Sequence, residues 1–451
     1  MSLIIGAWNR LTGLENVPMI PDFFSSNDPR LTSSTRQPWV VGVSIPPIHK
    51  LPSELLADIF ALCHAMMEDD PSLGCARVIL SHVCPRWRGI ILSMPLLWST
   101  INVYGSQDLN RPRVQEHLRR SASCLLSVRI YADKADHVED SIELVVAHAQ
   151  RLKALHFFMI NSHASPNLDL LRTSAFPALE TLGVSIRNWQ QQDADSIFHL
   201  LSTSPRIRSL MWDGPGGLPS SPCWMAFTEI DIWNTLSFQD VHTLLSQCHN
   251  VVDLQLLRVS SGGPLVNEVM VTLHQLTTLS LRATQPLDDL LDRLRLPSLK
   301  RLSLKYNHHN PSYDHSCGVL DSLLVRSECT LEELTFRDDY MPSKALDQLL
   351  RIPKLDIVFP KLTDRTLRTL TRRGDSICIM PRLESLSFMR SRSTDGVLGD
   401  MVTSRSESGG GQHAVGKLEC LQTAVEVSRS RDRCALDVLK AQGMDINYEN
   451  W

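Results

Sequence analysis

The sequence has few aromatic residues and no paired cysteines. Phe, Trp and Tyr make up 6% of the 451 residues, and the 11 cysteines are scattered from Cys63 to Cys434 without a Cys-x-x-Cys pair. An odd number of scattered thiols is not typical of a disulfide-linked secreted domain or of a zinc module. We therefore expect reduced cysteines, no metal site and a location in the cytoplasm or the nucleus.

Long apolar runs and an excess of one charge are also lacking. No segment approaches the ~18 consecutive apolar residues that span a bilayer, and Asn9 and Arg10 interrupt the N-terminal apolar residues too early for a signal peptide. The 45 Lys and Arg nearly balance the 49 Asp and Glu, which gives a net charge of -4. Such a chain has no global field that attracts nucleic acid or an anionic membrane, so we expect neither as a partner.

Motifs for catalysis are missing as well. The sequence contains no Gly-rich phosphate loop after a strand, no His-Glu-x-x-His and no Gly-x-Ser-x-Gly. Its many Ser, His and Asp residues show no spacing that assembles a triad. We therefore expect a non-catalytic protein without a cofactor.

The N-terminal quarter of the chain changes character at Leu51. Residues 1–48 are rich in Pro and Ser, have no sustained hydrophobic period, and predict a disordered arm. The next residues predict a helix over 51–63 with Pro52 in its first turn and an unusually wide apolar face. Two short helices are predicted over 76–83 and 85–92. Three short helices bury little surface, so we expect them to contact a neighbour or a partner.

A different pattern recurs from residue 125 onward. Two apolar residues stand two apart, and a third precedes them by three positions, so that the later two share one face of a short strand. Successive copies begin 20 to 32 residues apart, mostly within the ~20–29 residue period of leucine-rich repeats. The copies cover residues 152–157, 179–184, 207–212, 227–232, 251–256, 276–281, 299–304, 331–336 and 383–388, with a weaker copy that begins at Leu355.

These copies predict the architecture of the larger part of the chain. Helix-like runs lie between the predicted strands, and one strand plus one helix per repeat is typical of a solenoid. We predict an α/β fold in which an irregular leucine-rich-repeat solenoid, a curved parallel sheet lined by helices, covers 99–440. A flexible insert is predicted over 391–416, and a C-terminal cap or tail over 441–451.

The segment 49–98 resembles an F-box. Leu-Pro at 51–52, Glu54, Leu-Leu at 55–56, Ile-Phe at 59–60, Val-Cys at 83–84, Trp-Arg at 87–88 and Leu-Trp at 97–98 follow one another in the order of that motif. Together with the repeats, the chain is similar to the F-box and leucine-rich-repeat proteins of mushroom-forming fungi.

This resemblance implies a substrate-recruiting subunit of a Skp-cullin-F-box ubiquitin ligase. In that family the F-box binds a Skp-type adaptor, and through it the cullin, while the repeats bind a protein target. The wide apolar helix face agrees with a partner of this kind. The resemblance implies ten adaptor-binding residues: Leu51, Pro52, Leu55, Leu56, Ile59, Phe60, Val83, Cys84, Trp87 and Arg88.

Two other functions remain open at this point. The same apolar residues can form an ordinary helical core, in which case the chain is a repeat scaffold that binds a protein without any ligase. An enzyme hidden in the loops would instead need a pocket with converging, pKa-shifted side chains.

Four smaller features have an ordinary structural interpretation beside a functional one. Metal-ligand residue types between His308 and Cys317 are interpreted first as a surface loop, and the arginines at 365, 368, 372 and 373 as a solvated helix face. The Ser-rich run at 404–408 is a possible phosphorylation site or an inert loop. The last feature is a group of tryptophans near strand ends, which are core residues or a recognition patch: Trp212, Trp224 and Trp233.

Overall fold

The structure, a computed structural model, divides into two compact units. The first unit comprises residues 1–102 and 109–128, and the second comprises 103–108 and 129–451. The structure describes residues 47–68, 76–104, 110–132, 138–159, 168–186, 191–214, 218, 222–260, 269–285, 287–306, 316–336, 354–357, 363–372, 380, 382–388, 393–406 and 417–450.

The first unit is built mainly from short helices. Helix α1 follows Pro52, which cannot continue a preceding helix but suits a first turn, and α3 has Pro85 at its start. The helices are α1 (Ser53–Glu68), α2 (Ala76–Ser81), α3 (Pro85–Leu92) and α4 (Asn110–Arg120), with 3₁₀ segments at Pro47–Lys50 and Pro95–Trp98. The helices predicted over 51–63, 76–83 and 85–92 are therefore present, with α1 reaching further than predicted.

Fourteen of the strands in the described residues form one sheet. Its strand order is β1-β2-β3-β4-β5-β6-β7-β9-β11-β12-β13-β14-β15-β16, and every adjacent pair from β3 onward is parallel. Strands β8 and β10 form a separate parallel pair. The strands are β1 (Thr100–Tyr104), β2 (Leu126–Tyr131), β3 (Leu152–Met159), β4 (Thr181–Ile186), β5 (Ser209–Asp213), β6 (Glu229–Ser237), β7 (Asp253–Ser260), β8 (Val271–Thr272), β9 (Thr278–Ala283), β10 (Leu294–Arg295), β11 (Arg301–Tyr306), β12 (Glu333–Phe336), β13 (Lys354–Ile357), β14 (Ser385–Phe388), β15 (Cys420–Val425) and β16 (Asp445–Asn450).

Helices connect many of these strands. In the second unit they are α5 (Glu139–Val146), α6 (Gln191–Thr203), α7 (Phe238–Gln247), α8 (Asp288–Leu291), α9 (Ser316–Ser327), α10 (Asp364–Leu370), α11 (Val397–Ser406) and α12 (Ser430–Ala441). Helix α7 begins with a capping box, in which Ser237 Oγ accepts from the Asp240 amide at 3.1 Å and Asp240 accepts from the Ser237 amide. The sequence Ser-Phe-Gln-Asp thus sets where this helix starts.

One row of apolar side chains crosses the whole described part of the repeat sheet. The middle apolar position of each repeat pairs in register with that of the next strand, and each of these side chains is at most 2% exposed. Burying such a side chain stabilises the fold by roughly 1.5–3 kcal/mol, and neighbouring repeats supply the cover. The row consists of Leu155, Leu182, Leu210, Ile230, Leu254, Leu279, Leu302, Leu334, Leu355, Leu386, Leu421 and Ile446.

The predicted α/β fold with a long parallel sheet and helices is confirmed, and the arrangement is compatible with a solenoid-like repeat. The register of one copy is wrong, because Leu355 pairs with Leu334 and Leu386 and thus occupies the middle apolar position rather than the first. The predicted cap or tail over 441–451 contains β16, which extends the sheet. Helix α11 lies inside the predicted insert 391–416, whereas residues 1–46 of the predicted arm and the run from His308 to His315 lie outside the described residues.

Among the described residues, no helix has both the length and the apolarity that crossing a membrane requires.

Candidate functional site: an exposed apolar stripe on the first helix

The first unit has a small core of five buried side chains. The rings of Phe60 and Trp87 meet at 4.8 Å between centroids, tilted by 56°. Leu56, Ile91 and Leu97 complete the cluster, and each is fully buried. This core joins one side of α1 to α3 and to the 3₁₀ segment after it, so it fixes which side of α1 faces outward.

Polar contacts hold the backbone around this core. Cys84 precedes α3 and its Sγ accepts from the Trp87 amide at 3.5 Å, as an N-cap does. The buried Arg77 guanidinium donates to the Leu97 carbonyl at 2.9 Å and to the Thr100 carbonyl at 3.2 Å. These bonds connect α2 to the 3₁₀ segment and to the start of β1.

The adjacent side of α1, about 100° around the helix axis from the core residues, carries three exposed apolar side chains. Leu55 is 50% exposed, Ile59 is 37% exposed and Leu62 is 65% exposed. Their spacing of four and three residues places them one above another on a single helix face. We call these three residues the α1 stripe. A helix with apolar residues on two adjacent sides is typical of a helix that has a partner on each of them.

Exposed apolar residues are concentrated in this part of the chain. More than half of the large hydrophobic residues that the described chain exposes lie between Ile48 and Leu96. Scattered exposed apolar residues need no explanation, but a concentration of them marks an interaction surface. Outside the α1 stripe they are Ile48, Val78, Ile79, Val83, Leu92 and Leu96.

The structure divides the ten sequence-predicted adaptor-binding residues into three groups. Leu56, Phe60 and Trp87 lie in the core of the unit, where a partner cannot reach most of their surface. Leu51 and Cys84 are half-buried against that core. The exposed members are Pro52, Leu55, Ile59, Val83 and Arg88.

Six exposed apolar residues of this region are missing from the sequence-based set, and they include Leu62 and Ile79. Leu62 extends the α1 stripe by one turn, and Ile79 lies on α2 at 50% exposure. The seven-residue spacing from Leu55 to Leu62 was the signal that could have identified Leu62. Nothing comparable in the sequence distinguishes Ile79 from a core residue of a short helix.

The exposed Arg88 and its neighbour Arg86 also have structural contacts. Arg88 Nε donates to the Ser81 carbonyl at the end of α2 at 3.1 Å, and Arg86 donates to the Leu51 carbonyl at 2.6 Å. Arg86 therefore connects α3 to the residue before Pro52 and α1, and Arg88 connects α3 to the end of α2. They stabilise the arrangement that presents the α1 stripe.

Helix α4 packs a neutral histidine against an aromatic ring of the same unit. The His117 ring meets Trp98 edge-on at 5.3 Å, and the Arg120 guanidinium lies 4.3 Å above the Trp98 ring. Burial, together with the charges of Arg77 and Arg113, lowers the pKa of His117 to about 3, although a backbone hydrogen bond with Thr100 acts in the opposite direction. His117 is therefore uncharged at neutral pH and serves as a packing residue.

The remaining sequence candidates occupy ordinary structural positions where they are described. Trp212 and Trp224 are buried in the core, whereas Trp233 is half-buried on the sheet. Arg368 pairs with Asp364 at 3.3 Å, and the backbone amide of Arg372 donates to Ser404 Oγ. Within the part of the chain that the structure describes, no three His, Cys, Asp or Glu side chains are placed to hold a metal ion.

The exposed α1 stripe is thus the surface of the first unit best suited to bind another protein. Comparison with known proteins adds no family to this description, because no family model matches the sequence and no curated protein matches it either.

Proposed function

We propose that this protein is a substrate-recruiting subunit of a Skp-cullin-F-box ubiquitin ligase. In this proposal residues 49–98 are the F-box and bind a Skp-type adaptor, which connects the chain to a cullin. The repeats bind a protein target, and other subunits carry out the transfer of ubiquitin in the cytoplasm or the nucleus.

The observation that carries the proposal is the α1 stripe. Leu55, Ile59 and Leu62 are exposed on a helix whose adjacent side is already held by Phe60 and Trp87. Covering the stripe removes apolar surface from water at roughly 25 cal/mol for each Å², so a partner with an apolar groove gains from binding it. The order of the sequence motif over 51–98 supports the identification of that partner as a Skp-type adaptor.

Co-purification of the full chain with a fungal Skp-type adaptor tests the proposal. The test variant replaces Leu55 and Ile59 by Asp. The matched control replaces Val427 and Val438 by Asp, because these two residues are likewise exposed, at 59% and 51%, but lie in the second unit. Wild type and the matched control should form a stoichiometric complex. The Leu55→Asp/Ile59→Asp variant should lose it while keeping the circular dichroism of the folded protein.

Two results would contradict the proposal. If the wild-type chain is folded and does not bind the adaptor, the conclusion moves to a repeat scaffold that works without a ligase. If the Leu55→Asp/Ile59→Asp variant binds the adaptor as well as wild type does, the α1 stripe is not the interface.

A further inference from the structure

Side chains on the two faces of the repeat sheet differ in burial where the second unit is described. On β6 the side chains alternate, so that Ile230 and Ile232 are buried whereas Glu229, Asp231 and Trp233 are exposed or half-buried. Helix α7 packs on the buried side through Val241, Leu244 and Leu245. We call the other side, which carries Asp231, the open face.

An aromatic stack lies on one part of the open face. The rings of Tyr104 and Tyr131 are 5.2 Å apart with an 11° angle between planes, and those of Tyr131 and Phe158 are 5.0 Å apart at 10°. The His156 ring continues the stack beside Phe158 at 6.0 Å. Burial, together with the charge of Arg129, lowers the pKa of His156 to about 4, so the imidazole is neutral at pH 7.

Gly183 keeps the open face flat next to this stack. A Cβ atom at this position would lie 2.2 Å from Nδ1 of His156, which no real contact allows. The His156 ring therefore extends over β4 in the space that a side chain would fill. On β4 the residues of this face next to the stack are small, Gly183 and Ser185, and both are buried.

Three aspartates lie on the adjoining strands, and Glu229, the first residue of β6, adds a fourth carboxylate to the same face. Asp231 on β6 pairs in register with Met211 on β5 and Gln255 on β7. Asp213 lies two residues beyond Met211, and Asp253 lies two residues before Gln255. The three aspartates therefore form a diagonal across three strands, with steps of about 8 Å if strands are ~4.8 Å apart and two residues span ~6.7 Å.

The carboxylates repel one another and have little local compensation. Burial raises the pKa of Asp231, the Trp233 indole opposes this, and the charges of Asp253 and Asp213 raise it further. Asp213 accepts a hydrogen bond from Ser185 at 3.0 Å, which is a neutral partner. None of the ion pairs between described residues includes any of the three.

The spacing decides what kind of cation fits. The diagonal does not converge on one point, and no metal-binding group of His, Cys, Asp or Glu occurs among the described residues. An extended peptide places alternate side chains ~6.7 Å apart on one side, which is close to the step between the aspartates. Phe158, Ser185 and Asp213 lie in one row across β3, β4 and β5, so the aromatic stack leads directly to the diagonal.

We propose that the open face between β1 and β7 binds an extended basic segment of a protein target. Lys or Arg side chains at alternate positions lie over Asp213, Asp231 and Asp253, and an apolar or aromatic side chain lies against the Tyr104, Tyr131 and Phe158 stack. Cations also interact favourably with aromatic rings nearby. The inference rests on the proposed target-binding role of the repeats and adds the chemistry of the segment that they bind.

Fluorescence anisotropy with synthetic peptides tests this inference on the full chain. The probe is a fluorescein-labelled peptide of alternating Arg and Ser that begins with Phe, and the comparison peptide carries Glu in place of Arg. The test variant is Asp213→Asn/Asp253→Asn, and the charge-matched control is Asp289→Asn/Asp292→Asn, two exposed aspartates at α8.

The Arg peptide should bind wild type and the control equally, and the Glu peptide should bind neither. Each neutralised carboxylate on the open face should weaken binding of the Arg peptide about fivefold, the effect of about 1 kcal/mol for a partly exposed pair. Equal affinity for the test and control variants, or no binding of the Arg peptide to folded wild type, would overturn the inference.

Adaptor co-purification of the same variants separates this inference from the proposed function. The aspartate variants should keep the adaptor complex, because none of the changed residues lies in the first unit. Peptide binding without adaptor binding would leave the open face intact as a site and contradict the ligase proposal. Adaptor binding without peptide binding would support the ligase proposal and contradict the proposed peptide site on the open face.

Discussion

Leu55 and Leu56 are neighbours in the chain, but they face different surroundings. Leu56 is fully buried in the core with Phe60, whereas half of the Leu55 side chain is exposed. Successive residues of a helix are about 100° apart around its axis, so a wide apolar face can serve two surfaces at once. Substitutions at this pair can therefore separate the stability of the first unit from the adaptor binding that we propose for it.

Replacing each leucine by Ala should therefore have opposite consequences. Leu56→Ala should lower the free energy of unfolding of the first unit by about 3 kcal/mol, because it leaves a cavity. Leu55→Ala should change stability by no more than about 0.5 kcal/mol, but should weaken adaptor binding about tenfold. Urea denaturation and calorimetric titration with the adaptor measure the two effects. Equal destabilisation by both substitutions would show that Leu55 also belongs to the core.

His117 and His156 make the protein sensitive to mild acid. Their folded-state pKa values of about 3 and about 4 lie below the ordinary value of 6.5. The unfolded chain binds these protons first, so each histidine contributes stability that is present above about pH 6.5 and is lost as the pH falls toward the folded pKa. Between about pH 7 and pH 5 the loss should be about 2 kcal/mol for each residue.

Histidine ring NMR checks this prediction directly. In the folded protein the resonances of His117 and His156 should not titrate between about pH 7 and pH 5, whereas the urea-unfolded chain should titrate near the ordinary value. Ordinary titration of either ring in the folded protein would contradict its assigned environment.

Two glycines should respond oppositely to substitution by Ala. Gly399 in α11 faces α12, and an added Cβ would lie 2.8 Å from the Ala435 side chain, whereas a Cβ at Gly89 in α3 meets nothing within 4 Å. Gly399→Ala should destabilise the C-terminal repeats by about 1–3 kcal/mol. Gly89→Ala should stabilise α3 by up to about 1 kcal/mol through helix propensity. The midpoint temperature of thermal unfolding should fall for Gly399→Ala and rise for Gly89→Ala. A higher midpoint for Gly399→Ala would show that α11 and α12 are further apart than the 2.8 Å approach implies.

Binding of the Arg peptide to the open face should depend on pH through Asp231. The pKa of this carboxyl is raised by burial and by its acidic neighbours, so it becomes neutral at a higher pH than an ordinary aspartate. As the pH falls, binding should begin to weaken above the usual Asp range. In the Asp231→Asn variant, the pH at which peptide binding weakens should be lower than in wild type. An unchanged dependence of the anisotropy on pH would contradict this role of Asp231.

The repeat sheet could largely be predicted from the sequence, because the apolar spacing directly encodes which side of each strand is buried. The prediction failed at particular strands. Trp98, Ile101 and Val103 follow the same spacing at β1 but lie outside the predicted copies. Strand β16 was not predicted because Gly443 and Tyr448 stand where the spacing has its first and third apolar residues. The weak copy near Leu355 had the wrong register because only pairing with β12 and β14 decides it.

The candidate sites depend on contacts that the sequence does not contain. The apolar pattern of α1 predicted a wide face, but only packing against Trp87 and Ile91 decides that Leu56 is core and Leu55 is surface. The diagonal of aspartates likewise needs the register of β5, β6 and β7. An error of one residue would place these side chains on the other face.

Hydrogen-deuterium exchange of the full chain with and without a Skp-type adaptor tests the central claim most directly. If the exposed apolar residues of α1 and α2 contact the adaptor, exchange should slow over residues 53–68 and 76–83 in the complex. Exchange in the strands β3 to β15 should not change. Unchanged exchange over 53–68 in a formed complex, or protection confined to the repeats, would contradict the central claim.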